Sequence, residues 1–157
     1  MQSLKQIGIV LEELSASQLS YYAVNEINRY SEDSDLDFVM FFENSTPSIV
    51  QPQFATMAVN ELWAFNGVGI STSVSTALSL LKSHSVKKKY FYVWDLEWTR
   101  QSGRDYDYNI KAFINPELEL IARSKDHALA IENYCNRPVK HVVSNFNMKK
   151  LMEVIYE

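Results

Sequence analysis

The sequence predicts an α/β protein in which helices cover both faces of a doubly wound, mostly parallel sheet, in three layers. Short apolar runs rich in β-branched and aromatic residues, such as QIGIVL (6–11) and YFYVW (90–94), indicate strands buried on both faces. Segments with helical spacing of apolar residues separate these runs, and such alternation is typical of parallel sheets. The 157 residues, 46% of them hydrophobic and 22% charged, suffice for one domain with its own core.

The first two strands and the helix between them are marked clearly in the sequence. Gln6 to Leu11 is predicted to form the first strand. Ser15 and Gln18 have the spacing of a capping box, and apolar residues at helical spacing follow them. An acidic turn at 32–35 then leads into a second apolar strand from Asp37 to Asn44.

The rest of the chain continues the alternation after a proline-containing loop at 45–53. Residues suited to cap a helix mark the starts of four more helices, at Ser73, Asp105, Ser124 and Asn147. The other predicted elements are strands over 54–59, 67–72, 90–94, 118–122 and 140–144 and a short helix over 60–65. The whole chain, residues 1–157, is therefore predicted to form a single Rossmann-like domain.

Charge and cysteine content argue against several classes of protein. The formal net charge of −4 provides no broad basic surface, which argues against general nucleic-acid binding. The single cysteine, Cys135, allows no internal disulfide and fits a reducing compartment. Because the sequence shows neither a signal-peptide pattern nor an apolar run long enough to span a membrane, we expect a cytoplasmic protein.

A parallel sheet brings the carboxyl ends of its strands to one edge, so polar residues that follow different strands become neighbours there. We call this edge the polar rim, and a rim of this composition can hydrogen-bond a polyol or a phosphate. Its predicted residues are Glu12, Glu13, Ser15, Glu43, Asn44, Ser71, Thr72, Ser73, Asp95, Glu97, Arg100, Arg123, Ser124, His127, Ser144, Asn145 and Asn147. The candidate substrate-binding residues are Asp95, Glu97, Trp98, Arg100, Arg123, Ser124, His127 and Asn145.

Several of the candidate binding residues have an alternative role that is purely structural. If the aromatic strand continues, Asp95 and Glu97 share a face and can act as a base or bind a metal. Otherwise Arg100 or Arg104 holds a carboxylate to shape the loop. Trp98 either stacks on a sugar ring or covers the edge of the sheet. His127 either serves a ligand or reaches back from the first helical turn to the cap.

The sequence lacks the motifs of common cofactor sites. The first strand leads into LEELSAS instead of a glycine-rich turn, and Gly67 and Gly69 are not followed by a third glycine, which argues against NAD or FAD. The segment ISTSVST (70–76) can present N–H and hydroxyl groups to an anion or simply cap a helix. The histidines are dispersed and lack the spacing of metal ligands. The sequence also lacks the Gly-x-Ser-x-Gly motif that carries the nucleophile of α/β hydrolases. We therefore expect no cofactor and no metal.

The segment from Leu118 to Leu151 resembles the end of the N-terminal domain of GT-B glycosyltransferases. In that family a strand precedes a serine-led helix, and a further strand leads to an asparagine-containing loop; Arg123-Ser124 and Ser144 to Asn147 occupy those places here. YFYVWDLEW and STSVSTAL are similar to the family's strand with an acidic or aromatic loop and to its small-residue turn into a helix. The first part of the chain is similar by topology alone.

The resemblance implies the acceptor-side half of an enzyme that transfers a hexosyl group from a nucleotide-sugar. Nothing in the sequence matches the half that holds the nucleotide-sugar, so this half is expected either to lack catalysis or to need a partner. That partner is a second GT-B half or another copy in a homodimer. The residues expected to hold the acceptor or the donor phosphates are Glu97, Trp98, Arg123, Ser124 and Asn145.

A non-enzymatic Rossmann-like or flavodoxin-like module that binds a partner protein is the alternative hypothesis. Aromatic residues such as Tyr21, Tyr22, Trp63 and Tyr108 would then supply the contact surface.

Overall fold

A computed structural model describes residues 5–15 and 17–157, which form a layered arrangement of strands and helices. The strands are β1 (Gln6–Glu13), β2 (Asp37–Asn44), β3 (Ala55–Ala58), β4 (Val68–Ser71), β5 (Lys88–Val93), β6 (Glu119–Ala122) and β7 (His141–Val142). The α-helices are α1 (Gln18–Ser31), α2 (Val74–Lys82), α3 (Gly103–Ile114), α4 (Lys125–Cys135) and α5 (Met148–Tyr156). Short 3-10 helices span Val59–Ala64, Glu97–Arg100 and Ser144–Phe146.

The strands form one seven-stranded sheet in the order β3-β2-β1-β4-β5-β6-β7, and all neighbouring strands are parallel. The chain builds outward from β1 through β2 to β3, then returns to the other side of β1 at β4. The predicted doubly wound, three-layer fold is therefore confirmed. The reversal between β1 and β4 creates the switch point at which such sheets bind ligands.

Two apolar cores lie on the opposite faces of the sheet. Alternate residues of β1 serve different faces: Ile7 and Ile9 belong to the core with α1 and α5, whereas Val10 belongs to the core with α2, α3 and α4. Burial on both faces explains why the strands read as continuous apolar runs. Among the described residues, no helix is long and apolar enough to cross a membrane.

Three of the predicted helix caps are confirmed. The side-chain oxygens of Ser73, Ser124 and Asn147 each accept a hydrogen bond from a backbone N–H in the first turn of the helix that follows. Ser73 forms a complete capping box with Thr76. These caps are local interactions within four residues, so sequence spacing suffices to predict them.

Two predicted caps are wrong. The cap of α1 is Ser17 instead of Ser15, and its hydroxyl accepts the N–H of Ser20 at 3.0 Å. Helix α3 begins at Gly103, which places Asp105 in its first turn and not at its cap. Asp105 is an acidic residue in the first turn, a position where negative charge complements the helix dipole.

Some predicted boundaries also change. The strand predicted at 140–144 is only two residues long in β7, because Ser144–Phe146 turns into a 3-10 helix. The short helix predicted at 60–65 is a 3-10 helix over Val59–Ala64. The aromatic strand β5 ends at Val93, so Asp95 and Glu97 do not lie on a continuing strand.

Candidate functional site

A cleft of about 220 Å³ opens at the switch point, between the carboxyl ends of β1, β4 and β5 and the start of α1. We call it the switch-point cleft. Its lining residues are Leu11, Glu12, Glu13, Ser17, Gln18, Leu19, Ser20, Thr72, Ser73, Trp94, Asp95 and Glu97. Two of the candidate residues, Asp95 and Glu97, therefore lie in the cleft. It combines carboxylates and hydroxyls with one aromatic ring.

The carboxylate of Glu97 occupies the amino terminus of α2. Its Oε2 atom accepts a hydrogen bond from the backbone N–H of Val74 at 2.7 Å. Burial raises the pKa of Glu97, the Val74 N–H bond opposes that rise, and the charges of Glu12 and Asp95 add to it. A helix amino terminus at a switch point is where a ligand phosphate normally binds. In this chain a side chain of the protein holds that position.

A second carboxylate is held on the same helix, one residue further along. The Ser75 hydroxyl lies 2.8 and 3.0 Å from the two carboxylate oxygens of Glu43, which follows β2. Burial raises the pKa of Glu43, the Ser75 hydrogen bond lowers it, and the charge of Glu12 raises it. Glu12 therefore lies close enough to both acids for its charge to raise the pKa of each.

Asp95 is held by Arg100 in a bidentate ion pair. The two guanidinium nitrogens of Arg100 lie 3.0 and 2.6 Å from the carboxylate oxygens of Asp95. Hydrogen bonding by Arg100 is the main cause of the lowered pKa of Asp95. The pair closes the loop that contains the 3-10 helix Glu97–Arg100 and so supports the loop-shaping interpretation of Arg100.

Trp94 forms an aromatic wall of the cleft, and the sequence analysis did not select it. The Arg123 guanidinium lies 4.6 Å from the centroid of the Trp94 ring, in a cation–π contact. The Tyr92 ring stacks on Trp94 with centroids 6.3 Å apart. A signal for this position existed in the sequence, since Tyr90, Tyr92 and Trp94 alternate in the predicted strand over 90–94, which places them on one face.

Trp98 belongs to the core. Its side chain is 3% exposed, and its ring makes an edge-on contact with Phe113 at a centroid distance of 4.6 Å. The ring thus packs between the loop after β5 and α3, which supports the interpretation that Trp98 covers the sheet and leaves little surface for a sugar.

Ser124 and His127 form a local capping pair. The Ser124 hydroxyl lies 2.7 Å from Nδ1 of His127 and accepts the His127 backbone N–H at 3.2 Å. Burial, followed by the charge of Arg123, lowers the pKa of His127. This geometry supports the structural alternative for His127, in which the ring reaches back to the cap.

Asn145 lies apart from the switch-point cleft, in a groove of about 450 Å³ between α1 and the end of β7. We call it the α1 groove. The residues that line it are Tyr21, Tyr22, Asn25, Glu26, Arg29, Ser144, Asn145 and Asn147. The candidate residues are therefore distributed between the cleft, the groove, the core and local caps.

The chain has one run of basic residues, Lys87 to Lys89, which leads into β5 and lies at the opposite edge of the sheet from the polar rim. Lys87, Lys88 and Lys89 line a cavity of about 470 Å³ together with Glu117 and Glu119. The ammonium of Lys89 donates to the carbonyl of Leu81 at 3.3 Å and lies 3.8 Å from the Glu117 carboxylate. This run therefore adds no positive charge to the polar rim.

The residues that the structure describes include neither a metal site nor a reactive thiol. No three His, Cys, Asp or Glu side chains within 5–15 and 17–157 are placed to hold a metal ion. Burial raises the pKa of Cys135 to about 11, which keeps the thiol protonated and poorly nucleophilic at neutral pH.

Comparison of the chain with protein-family models, with curated proteins and with solved structures found no match. The site must therefore be interpreted from its own geometry.

Proposed function

We propose that the chain is a glycosyltransferase-related domain whose switch-point cleft binds the hydroxyl groups of an uncharged sugar acceptor. The observation that carries the proposal is the 2.7 Å hydrogen bond from the Val74 N–H to Glu97. With this carboxylate at the helix terminus, a phosphate would meet negative charge instead of free N–H donors. A sugar hydroxyl, by contrast, can donate a hydrogen bond to a carboxylate.

Unpaired acceptors in the cleft support a polyol ligand. The carboxylates of Glu12 and Glu13 line the cleft and accept no hydrogen bond from any described residue. Ionised carboxylates are acceptors only, and sugar hydroxyls are donors that satisfy them. The partly buried ring of Trp94 adds an aromatic surface that can contact a pyranose.

Two of the four carboxylates that line the cleft, Asp95 and Glu97, already have partners within the protein. Arg100 neutralises Asp95, and the positive end of α2 stabilises the carboxylate of Glu97. Under the proposal this half supplies the acceptor, and a partner chain or a second copy supplies the nucleotide-sugar for hexosyl transfer.

Nuclear magnetic resonance titration of the ¹⁵N-labelled protein tests the proposal directly. We expect methyl α-D-glucopyranoside or N-acetylglucosamine to shift the amide resonances of Glu12, Trp94 and Glu97, and UDP to leave them unchanged. A double variant, Glu12→Gln with Glu13→Gln, should weaken sugar binding about tenfold through poorer acceptors. Glu61→Gln, an exposed acid outside the cleft, is the matched control.

Binding of UDP at the amino terminus of α2, tighter than that of the sugars, would overturn the acceptor assignment. So would the failure of both uncharged sugars to shift any cleft resonance at millimolar concentration.

One observation favours the alternative of a protein-interaction module. Strand β3 ends the sheet, its residues are exposed and uncharged, and Trp63 beside it is 75% exposed. Natural edge strands are usually protected by charge or cover, so this edge suits pairing with the same strand of a second copy. Light scattering tests it: Trp63→Ala should abolish concentration-dependent self-association, and a wild-type chain that stays monomeric at all concentrations would contradict it.

A further inference from the structure

The α1 groove offers polar groups that the protein itself leaves unused. Ser144 and Asn145 are exposed, and their side chains make no hydrogen bond to any described residue. Asn25 donates to the Tyr21 carbonyl at 3.0 Å through its amide nitrogen, which leaves the amide oxygen as a free acceptor. Amides and hydroxyls that both donate and accept match the hydroxyl groups of a sugar.

The charged residues of the groove are paired with each other. Arg29 lies 3.3 Å from Oε1 of Glu26, and Oε2 of Glu26 accepts the backbone N–H of Met148 at 3.3 Å. The groove therefore carries no uncompensated charge, in contrast to a phosphate or peptide-terminus site. Its chemistry favours an uncharged ligand.

Hydrogen bonds to a buried hydroxyl constrain the backbone of the loop that carries Ser144 and Asn145. Asn145 and Phe146 both adopt left-handed backbone conformations, with φ of 52° and 54°. The buried hydroxyl of Tyr92 donates to the carbonyl of Val143 at 2.5 Å and accepts the N–H of Phe146 at 3.1 Å. Such conformations persist where the surroundings enforce them, and here the Tyr92 hydroxyl does so. The backbone that carries the Asn145 side chain is consequently held in position before a ligand arrives.

A row of aromatic rings connects the groove with the switch-point cleft. The Trp94 ring lines the cleft and lies 6.0 Å from the Tyr22 ring, centroid to centroid. Tyr22 lies 5.9 Å from Tyr21, and both tyrosines line the groove. Aromatic faces bind the C–H faces of pyranose rings without charge, so the row suits successive units of one sugar chain.

We infer that the acceptor is an uncharged oligosaccharide with one unit in the switch-point cleft and the next in the α1 groove. The groove is thus a second sugar subsite, in which Tyr21 stacks on the sugar and Asn145 hydrogen-bonds it. This inference rests on the proposed function, since it places the first unit in the cleft.

Titration with matched short and long sugars tests the inference. The probes are methyl α-D-glucopyranoside, maltotriose, methyl α-D-mannopyranoside, mannotriose and cellotriose, followed by ¹⁵N chemical shifts. We expect at least one trisaccharide to bind about tenfold more tightly than its methyl glycoside, because two subsites share one ligand. Its shifts should cover both Trp94 in the cleft and Asn145 in the groove.

Two variants separate the groove from the cleft. Asn145→Gly removes the amide and tolerates the left-handed backbone, and Tyr21→Ala removes a ring that is 53% exposed. Each should lower trisaccharide affinity to the level of the methyl glycoside and leave the latter unchanged. The matched controls are Asn136→Gly, also left-handed at φ of 50°, and Tyr108→Ala, 50% exposed; both should bind like the wild type.

The outcomes distinguish the two proposals. If the trisaccharides and the methyl glycosides bind with equal affinity and shift only cleft resonances, the second subsite is overturned and the acceptor function stands. Shifts confined to the groove would overturn both the cleft function and the continuous site. If no probe shifts either region, both proposals are wrong.

Discussion

Glu97 and Val74 are 23 residues apart in sequence, yet the Glu97 carboxylate accepts the Val74 backbone N–H at 2.7 Å. The loop after β5 thereby supplies the anion that complements the dipole of α2. This contact joins the loop after β5 to the start of α2, beside the switch point, and adds one carboxylate to those that line the cleft.

Glu97 should make the protein less stable as pH rises. Its folded-state pKa is raised above 4.5, chiefly by burial, so the folded chain holds the proton more tightly than the unfolded chain. The resulting stability is complete below pH 4.5 and is lost as pH rises through the folded pKa. Glu97→Gln should reduce this loss, measured as the thermal unfolding midpoint between about pH 4 and 8.

Glu43 has a pKa raised in the same direction, so Glu97→Gln should reduce the pH dependence without abolishing it. Glu61→Gln, at an exposed position, should reproduce the wild-type curve. Identical curves for Glu97→Gln and the wild type would show that Glu97 does not couple folding to pH.

Thr72 should stabilise the switch point through a buried hydrogen bond. Its hydroxyl donates to the carbonyl of Val10 at 2.7 Å, and the residue is 3% exposed. Thr72→Val preserves the shape but leaves that carbonyl lone pair unpaired, at a cost of about 1–2 kcal/mol in the free energy of unfolding. Urea denaturation measures this loss. Thr72→Ser retains the hydroxyl and should restore the hydrogen bond, so an equal loss in both variants would point to packing instead.

Arg137, which follows α4, should stabilise the packing of that helix against the segment that connects α3 to β6. Its guanidinium donates to the carbonyls of Phe113 at 3.1 Å, Asn115 at 2.7 Å and Leu118. Arg137→Ala leaves these half-buried acceptors without their charged donor and should cost about 2–4 kcal/mol in urea denaturation.

Arg137→Lys should recover only part of that stability, because an ammonium cannot reproduce the planar fork of a guanidinium. Arg104→Ala, at an exposed position on α3, should leave stability nearly unchanged. A loss of less than about 0.5 kcal/mol in Arg137→Ala would show that the three hydrogen bonds are dispensable.

Cys135 should react slowly in the native protein. Burial raises the pKa of its thiol to about 11, so the thiolate is rare at pH 8. Reaction with a disulfide reagent such as DTNB at about pH 8 should be about two orders of magnitude slower than in the guanidinium-unfolded chain. Equal rates in the two states would mean that the thiol is not protected.

Part of the candidate site could be predicted from the sequence. The carboxyl edge was predictable because β-strands that alternate with helices must run parallel, which aligns their ends. Asp95 and Glu97 do line the cleft, but they reach it through a turn and a 3-10 helix and not along a strand. Trp94 was overlooked because its aromatic strand was explained as sheet interior.

Trp94 and Trp98 illustrate what sequence could not decide. Only four positions separate two identical side chains, yet Trp94 lines the cleft and Trp98 is 3% exposed against Phe113. The turn between them, closed by the Asp95–Arg100 pair, determines which ring faces the cleft. That turn depends on contacts with α2 and α3, which no local pattern encodes.

The sequence by itself determined the layered α/β class, the positions of most strands, and the caps at Ser73, Ser124 and Asn147, because these follow from periodicity and from hydrogen bonds between residues three or four apart. The tertiary structure alone decided the strand order, the switch point between β1 and β4, and the occupation of the α2 terminus by Glu97. These features join residues distant in sequence, whose contacts form only when the crossover helices pack on the sheet.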